Sequence, residues 1–231
     1  MISALTSLIR SELLHVEGVR RLPPARRFAS LLTSETASEC LYFLDSGYIK
    51  LTRRGRTSKE VILSLVGPGE IFAEHALLQQ APRPFTAEIM EEGSIYEIPR
   101  DVFLTLAKRR PEVWHMLWEI ALRRQLESEQ KIALLCLEEV EYRLLHYLQR
   151  LATQFSAPVT DQEEYLVMLS QRELASLVGA TRETTSMLLN SFARQGLVRL
   201  DRRQVTVKSL DAIRGALRNY GGAKAAAQGS A

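Results

Sequence analysis

The first hundred residues contain short apolar runs at close spacing, each broken by turn-forming residues. Five of these runs lie between residues 26 and 99: CLYFLDSG, YIKLTRRG, KEVILSLVG, FTAEIMEEG and SIYEIP. Glycine, alone or beside Asp, Ser, Pro or Glu, separates them at residues 45–47, 55, 67–69 and 92–93. Branched and aromatic runs between such turns are typical of antiparallel strands. The pattern therefore predicts an antiparallel barrel or sandwich.

From residue 100 onward the apolar spacing changes to that of helices. A short helix over RDVFLTLAKRR is followed by Pro111, which suits a first helical turn, and residues 112–138 contain neither glycine nor proline. One side of this long helix is expected to carry Leu117, Ala121, Ser128, Ile132 and Leu135. A parallel helix from a second subunit would bury such a stripe. We therefore predict a homodimer formed through residues 111–138, with packing of the helix on its own barrel as the alternative.

The segment from residue 139 predicts a separate, smaller domain with a helix-turn-helix. After a helix over VEYRLLHYLQRLATQF and a strand over YLVML, Ser170 and Glu173 form a capping box for a helix that ends at Gly179. Thr181 caps a second helix, which runs to Gly196. Two short helices around a glycine turn make a helix-turn-helix, and LVRL and QVTV beyond it form a winged-helix hairpin. The arginines of the hairpin turn, Arg202 and Arg203, are interpreted first as a solvated turn, with phosphate contact as the alternative.

The second helix of this pair has residues suited to the DNA major groove. Arginine can donate to guanine, and glutamate can accept from cytosine, at the base edges. The core-facing residues are expected to be Met187, Leu188 and Phe192 or their neighbours, and the groove-facing residues Arg182, Glu183, Thr185 and Ser186. Side chains at the two helix starts are expected to hold phosphates: Gln171, Arg172, Thr181 and Thr184.

The distribution of charge along the chain supports this interpretation. Residues 1–169 hold 20 Lys and Arg against 23 Asp and Glu, whereas residues 170–231 hold 10 against 4. The basic end is therefore a candidate surface for a polyanion, and double-stranded DNA is the expected partner. A helix-turn-helix that contacts only protein is the alternative.

Composition excludes several other classes. Two cysteines, Cys40 and Cys136, are too few for a disulfide framework or a four-thiolate iron–sulfur cluster. No apolar stretch approaches the roughly 20 residues that span a bilayer, and the N-terminus is unlike a secretory signal, so we expect a cytoplasmic protein without a membrane partner. The four histidines are scattered, and no nucleophile elbow, phosphate loop or metal-spaced cluster occurs, so an enzyme ranks last. The final residues, 221–231, are expected to form a disordered tail.

The order of these parts resembles the CRP/FNR superfamily of bacterial transcription regulators over about residues 20–215. The most specific stretch is LVGATRETTSMLLNSFARQGLV. The resemblance implies an α+β protein in which residues 1–110 form a cyclic-nucleotide-binding-like β-roll (a cupin-like jelly roll), 111–138 a dimerisation helix, and 139–220 a winged helix-turn-helix. It implies that Arg182 and Glu183 read base edges of a palindrome bound by a homodimer. Met187 stands where cyclic-AMP-responsive members have a base-reading arginine. RNA polymerase is the expected partner if the protein activates.

The same resemblance places a sensor pocket at residues 69–89, GEIFAEHALLQQAPRPFTAEI. It implies that Glu74 accepts a ribose hydroxyl, that Ser128 contacts the base, and that an arginine should precede Thr86. Phe85 occupies that position, and Arg83 could replace the arginine only through a register shift, so we expect weak or no cyclic-AMP binding.

Haem is the alternative occupant of this pocket. His75 stands where haem-containing carbon-monoxide sensors of the superfamily have a ligand, although Ala73 replaces their nearby cysteine. Two hypotheses about regulation also remain open. The β-roll is either the sensor of a signal-gated regulator, or a scaffold that dimerises a constitutive DNA-binding protein.

Overall fold

The computed structural model describes residues 7, 9–12, 14–33, 39–57, 59–78, 85–156, 164–201 and 204–228, except for the side chains of residues 116 and 221–228. The chain divides into two compact units, Met1–Glu129 and Gln130–Ala231. The boundary between these units lies inside the longest described helix. Within the described residues, no helix combines the length and the apolarity needed to cross a bilayer.

The first unit is built on two four-stranded antiparallel sheets. The strands are β1 (Arg20–Arg21), β2 (Ser30–Leu32), β3 (Cys40–Leu44), β4 (Tyr48–Arg54), β5 (Glu60–Val66), β6 (Glu70–Phe72), β7 (Thr86–Glu91) and β8 (Ile95–Pro99). One sheet has the order β1-β8-β3-β6, and the other β2-β7-β4-β5. The five apolar runs thus form β3, β4, β5, β7 and β8, and the predicted antiparallel β-roll is confirmed.

Strand β3 shows why a continuous apolar run is needed at the centre. Tyr42 and Leu44 point into one core cluster with Ile49 and Ile89 from the facing sheet. Leu41 and Phe43, on the alternate face, pack in a second cluster. Because side chains alternate across a strand, a strand covered on both faces must be apolar at successive positions.

Two helices follow the sheets: α1 (Arg100–Arg109) and the long helix α2 (Glu112–Leu137). The start of α2 has two apolar sides. Val113, Leu117 and Ile120 pack with the second core cluster of the β-roll. The described side chains of α2 that are large, apolar and exposed are those of Trp114, Trp118, Leu122, Leu126, Ile132, Leu135 and Leu137. The predicted stripe is therefore partly wrong: Leu117 packs on its own barrel, while Ile132 and Leu135 are exposed. The sequence could not separate two neighbouring apolar faces on one helix.

The second unit contains α3 (Val140–Gln154), β9 (Tyr165–Val167), α4 (Gln171–Val178), α5 (Arg182–Arg194), the hairpin β10 (Val198–Asp201) and β11 (Gln204–Val207), and α6 (Leu210–Gln228). The three strands form an antiparallel sheet in the order β10-β11-β9. The apolar residues of α3 that sequence periodicity indicated, among them Leu144, Leu148 and Leu151, are buried. This is the predicted winged helix-turn-helix.

Helix α6 differs from the expected disordered tail. It continues to Gln228, eight residues past the end of the predicted domain at 220. Residues 223–227 read AKAAA, and alanine and lysine have high helix propensity. The expectation of disorder did not take this helix propensity into account. Residues 229–231 lie outside the described part of the chain.

Candidate nucleic-acid interface

The turn between α4 and α5 is defined by local capping. The backbone N–H of Ser170 donates to Glu173 Oε2 (2.9 Å), and the Glu173 N–H donates to Ser170 Oγ (3.3 Å). Helix α4 ends at Gly179, which has a left-handed conformation (φ 70°, ψ 34°). A Cβ added there would lie 2.7 Å from Leu135 Cδ2. Both the backbone angle and the available space therefore require glycine at this turn.

The start of α5 is held by the two predicted threonines. Thr181 Oγ1 accepts from the Thr184 N–H (3.2 Å) and lies 3.0 Å from the Thr184 hydroxyl. The capping hydroxyl satisfies one of the backbone donors that every helix start leaves unpaired. The first turn is thereby fixed in direction, with Arg182 and Glu183 exposed on it.

Glu183 is set up as a hydrogen-bond acceptor. Its own backbone N–H, the Thr181 hydroxyl and the nearby Arg182 together lower the pKa of the Glu183 carboxyl. The side chain is therefore ionised at neutral pH, and an ionised carboxylate can only accept hydrogen bonds. The cytosine amino group in the major groove is a donor of the matching kind.

Two residues of α5 differ from their predicted positions. Thr185, expected to face the groove, is 0% exposed, and its hydroxyl donates to the Thr181 carbonyl oxygen (2.9 Å). Met187, which the apolar pattern placed in the core and the resemblance aligned with a base-reading arginine, is 65% exposed. Leu189 and Phe192 are buried instead, while Leu188 is half-buried. The helix is thus rotated so that residues 185, 189 and 192 face the core, a spacing of four and three residues that forms one side of a helix.

The other predicted contacts have mixed exposure. Arg172 and Thr181 are exposed, and Gln171, Thr184 and Ser186 are half-buried. Arg172 lies in the first turn of α4, and Thr181 and Thr184 at the start of α5. The predicted wing arginines, 202 and 203, lie outside the described residues.

Arg143 donates hydrogen bonds to the end of the first helix of the helix-turn-helix, and this role was not predicted from the sequence. This side chain is 8% exposed. Its Nε donates to the Val178 carbonyl at the end of α4 (2.9 Å), and its Nη1 to the Glu138 carbonyl just beyond α2 (2.7 Å). A cation at two helix C-termini meets the negative ends of both helix dipoles. The sequence held one indication of this role, since Arg143 directly precedes the apolar pair Leu144 and Leu145.

The predicted effector pocket in the β-roll contains an ion pair. Glu74 starts a short 3-10 helix, Glu74–Leu77, after Ala73 in the left-handed conformation (φ 62°). Arg124 of α2 pairs with Glu74, and its Nη2 donates to the Ile71 carbonyl (2.5 Å). Arg124 is therefore a cation of this site that sequence reasoning missed. It could have been found in the sequence, because Arg124 lies one helical turn before Ser128, the residue of this helix that was predicted to belong to the pocket.

The remaining predicted pocket residues have different surroundings. Phe85 is part of the buried core between the sheets, and its ring meets that of His75 edge to face, with centroids 5.2 Å apart. Thr86 begins β7 and is half-buried. Ser128 is exposed, and its hydroxyl donates to the Arg124 carbonyl (2.8 Å). Arg83, the displaced candidate for a phosphate cation, lies outside the described residues.

Within the described part of the chain, no cluster of three or more His, Cys, Asp or Glu side chains is suited to a metal ion.

Comparison with known proteins matches both units. The cyclic nucleotide-binding domain family matches residues 26–110, and the Crp-like helix-turn-helix domain family matches residues 142–216. The chain is 34% identical to the cyclic AMP receptor protein of Thermus thermophilus, over 74% of this chain and 76% of that protein. It is 30% identical to a CRP-like cAMP-activated global transcriptional regulator of Mycobacterium tuberculosis, over 75% of this chain and 77% of that protein.

A solved structure agrees with these relatives. A CRP-family transcriptional regulator from Thermus thermophilus superimposes with a TM-score of 0.74 at 25% identity, covering 85% of this chain and 96% of that one. The β-roll, the helix-turn-helix with its wing and the two matched domains lead to one assignment: the chain belongs to the CRP/FNR family of DNA-binding transcription regulators and is not an enzyme.

Proposed function

We propose that the protein is a homodimeric regulator that reads a palindromic operator through the first turns of α5. The observation that carries this proposal is the exposed, capped start of α5, where Arg182 offers a forked donor and Glu183 an ionised acceptor. A donor and an acceptor on one helix end can discriminate base pairs, at roughly 1–3 kcal/mol for each good contact. Arg172, Gln171, Thr181 and Thr184 are proposed to hold the adjacent phosphates, with Ser186 on the groove side.

Selection of bound duplexes from a random library tests the operator. A palindrome with half-sites about one helical turn apart is expected. Replacement of Arg182 by alanine should then relax selectivity at one base pair of each half-site. Arg194, exposed at the far end of the same helix, provides the matched control: Arg194→Ala should leave the selected sequence unchanged. A library without any enriched palindrome would contradict the proposal.

The proposed dimer uses the exposed side of α2. Trp118 is 63% exposed and Leu126 64% exposed, and apolar side chains that recur every four residues on one helix side form a contiguous patch. A second copy of the helix offers the same patch, as an isologous twofold interface requires. We expect the wild-type chain to sediment as a dimer and Trp118→Glu to shift it towards monomer. Leu63→Glu changes an exposed leucine of β5 and should leave the dimer intact.

The β-roll is proposed to gate DNA binding through Glu74 and Arg124. Their ion pair joins the turn after β6 to α2, the proposed dimerisation helix. A ligand that draws either partner away would change the contacts of α2, and a shift of that helix could re-aim the recognition helices. Arg124→Met should therefore abolish any effect of ligand on operator affinity, whereas Arg123→Met, one position along on an exposed side chain, should preserve it.

Cyclic AMP is expected to bind weakly, because Arg124 already contacts a carboxylate and a carbonyl oxygen. A phosphate would have to displace them, and Phe85 occupies the other expected cation position within the core. Calorimetric titration of the full chain tests this expectation, and micromolar or tighter binding would contradict it. The second candidate function, constitutive DNA binding, is favoured by the same internal pairing. It predicts that operator affinity does not change with added cell metabolites.

Transcription in vitro would establish the direction of control. If operator binding raises transcription from an adjacent promoter, RNA polymerase is the expected second partner. If it lowers transcription, the protein is a repressor.

A further inference from the structure

The middle of the recognition helix exposes an apolar side chain on its DNA-facing side. Met187 is 65% exposed, whereas the core side of α5 is formed by the fully buried Leu189 and Phe192. Among the described residues 138–220, Met187 is the sole exposed large hydrophobic residue. A single exposed apolar residue needs no special explanation on most surfaces, so its position on the helix decides its meaning.

Met187 lies on the same side of the helix as Glu183, one of the two proposed base-reading residues. With about 100° and 1.5 Å per residue, it lies roughly 40° around the helix from Glu183 and about 6 Å further along. Ser186 and Asn190 flank it on the same side. The Asn190 amide is directed back at the helix, because Nδ2 donates to the Ser186 carbonyl (2.9 Å). Entry of Glu183 into the groove therefore also brings Met187 to base edges, one or two base pairs away.

The chemistry of the side chain limits what it can recognise there. Methionine has no charge and no strong hydrogen-bonding group, but its flexible thioether packs well against irregular apolar surface. The four base pairs display donors and acceptors in the major groove, and the one apolar group they display is the thymine 5-methyl. Resting on the proposed groove-facing orientation of α5, we propose that Met187 selects a thymine in each operator half-site by packing against its 5-methyl group.

Deoxyuridine tests this proposal, because it pairs like thymine but lacks the methyl group. In the operator selected from the random library, each thymine would be replaced in turn, in both half-sites together, and affinity measured by fluorescence anisotropy at fixed salt. One position is expected to lose about fourfold per half-site, or about 15-fold for both, which corresponds to the burial of one methyl-sized group at each. The other thymines should tolerate the change within about twofold.

Variants assign the effect to Met187. Met187→Ala should bind the thymine and deoxyuridine operators equally, while Met187→Leu should keep the preference. Because the side chain is exposed, both variants should unfold at the wild-type temperature and keep the wild-type salt dependence of nonspecific binding. A second readout replaces the selected thymine by cytosine or by 5-methylcytosine. The cytosine operator should bind the wild type more weakly, and the 5-methyl group should restore part of that affinity. Met187→Ala should bind the cytosine and 5-methylcytosine operators equally.

The outcomes separate this inference from the proposed function. A selected palindrome that tolerates deoxyuridine at every thymine would overturn the role of Met187 and leave the regulator proposal intact. So would an unchanged thymine preference in Met187→Ala. If no palindrome is selected at all, the proposed function fails and this inference fails with it.

Discussion

Replacing Arg143 with methionine should loosen the helix-turn-helix without unfolding the β-roll. The guanidinium donates to the carbonyls of Val178 (2.9 Å) and Glu138 (2.7 Å), with a longer contact to the Leu135 carbonyl (3.4 Å). Methionine keeps much of the apolar stem but leaves these buried carbonyls without their donor. A hydrogen bond to a charged group contributes about 1.5–3 kcal/mol. Loss of two good bonds lowers the free energy of unfolding, and part of this loss is offset because methionine, unlike the guanidinium, carries no charge to desolvate. The net loss is about 3 kcal/mol.

Hydrogen exchange of the full chain can locate this loss. Both tryptophans lie before residue 129, so tryptophan fluorescence reports the first unit and should show an unchanged transition. Amides of α4 should exchange roughly 100-fold faster, because each 1.4 kcal/mol is a factor of ten. Operator affinity should also fall, since the Val178 carbonyl fixes the end of α4 immediately before the turn into α5.

Two control variants sharpen the interpretation. Arg143→Lys keeps the positive charge but not the fork, so it should recover about half of the lost stability. Arg214→Met removes a surface ion pair with Asp211, in which the arginine side chain is 47% exposed, and should change stability by less than about 0.5 kcal/mol. If the amides of α4 exchange no faster in Arg143→Met than in Arg214→Met, Arg143 does not stabilise the helix-turn-helix and the prediction is refuted.

Three further predictions concern other parts of the chain. Gly179→Ala should destabilise the second unit by about 1–2 kcal/mol, because Gly179 has a positive φ and an added Cβ would approach Leu135. Gly215→Ala should instead raise the free energy of unfolding by about 0.5–1 kcal/mol, because nothing lies within 4 Å of the added Cβ. Thermal unfolding of the two variants compares these effects. Burial raises the pKa of the Glu70 carboxyl above its ordinary 4.5. The folded state therefore holds this proton more tightly than the unfolded chain, and this contribution to stability is lost as the pH rises above about 4.5. Glu70→Gln should gain stability over wild type from pH 4.5 to 7 in denaturant titrations, and a gain that is independent of pH would contradict this cause. Tyr220→Phe should lower the free energy of unfolding by about 1 kcal/mol, because the Tyr220 hydroxyl donates to the carboxylates of Glu139 and Glu141 at the start of α3. An unchanged melting temperature would argue against that role.

The parts predicted best from sequence were those that depend on neighbours in the chain. The capping box at Ser170, the glycine at 179 and the cap at Thr181 identified both helices of the helix-turn-helix, because each signal involves residues within four positions of one another. The five predicted strands of the β-roll, β3, β4, β5, β7 and β8, were found for the same reason, since turn residues and apolar runs are local features. Arg182 and Glu183 were chosen as base-reading residues from these boundaries, and that role stays a prediction.

The errors arose where distant packing determines which side of an element is buried. Periodicity showed that α5 has an apolar side, but the choice between Met187 and Leu189 depends on how the helix sits against α3 and the sheet. Arg124 and Glu74 are separated by 50 positions in the chain, so no sequence window could pair them. The sequence therefore indicated the fold class, the order of the domains and the DNA-binding helix, all of which depend on short-range chemistry. Long-range packing settled which apolar residues are exposed, which arginine pairs with Glu74 and which carbonyl groups Arg143 contacts, because these contacts exist only once separate segments have folded together.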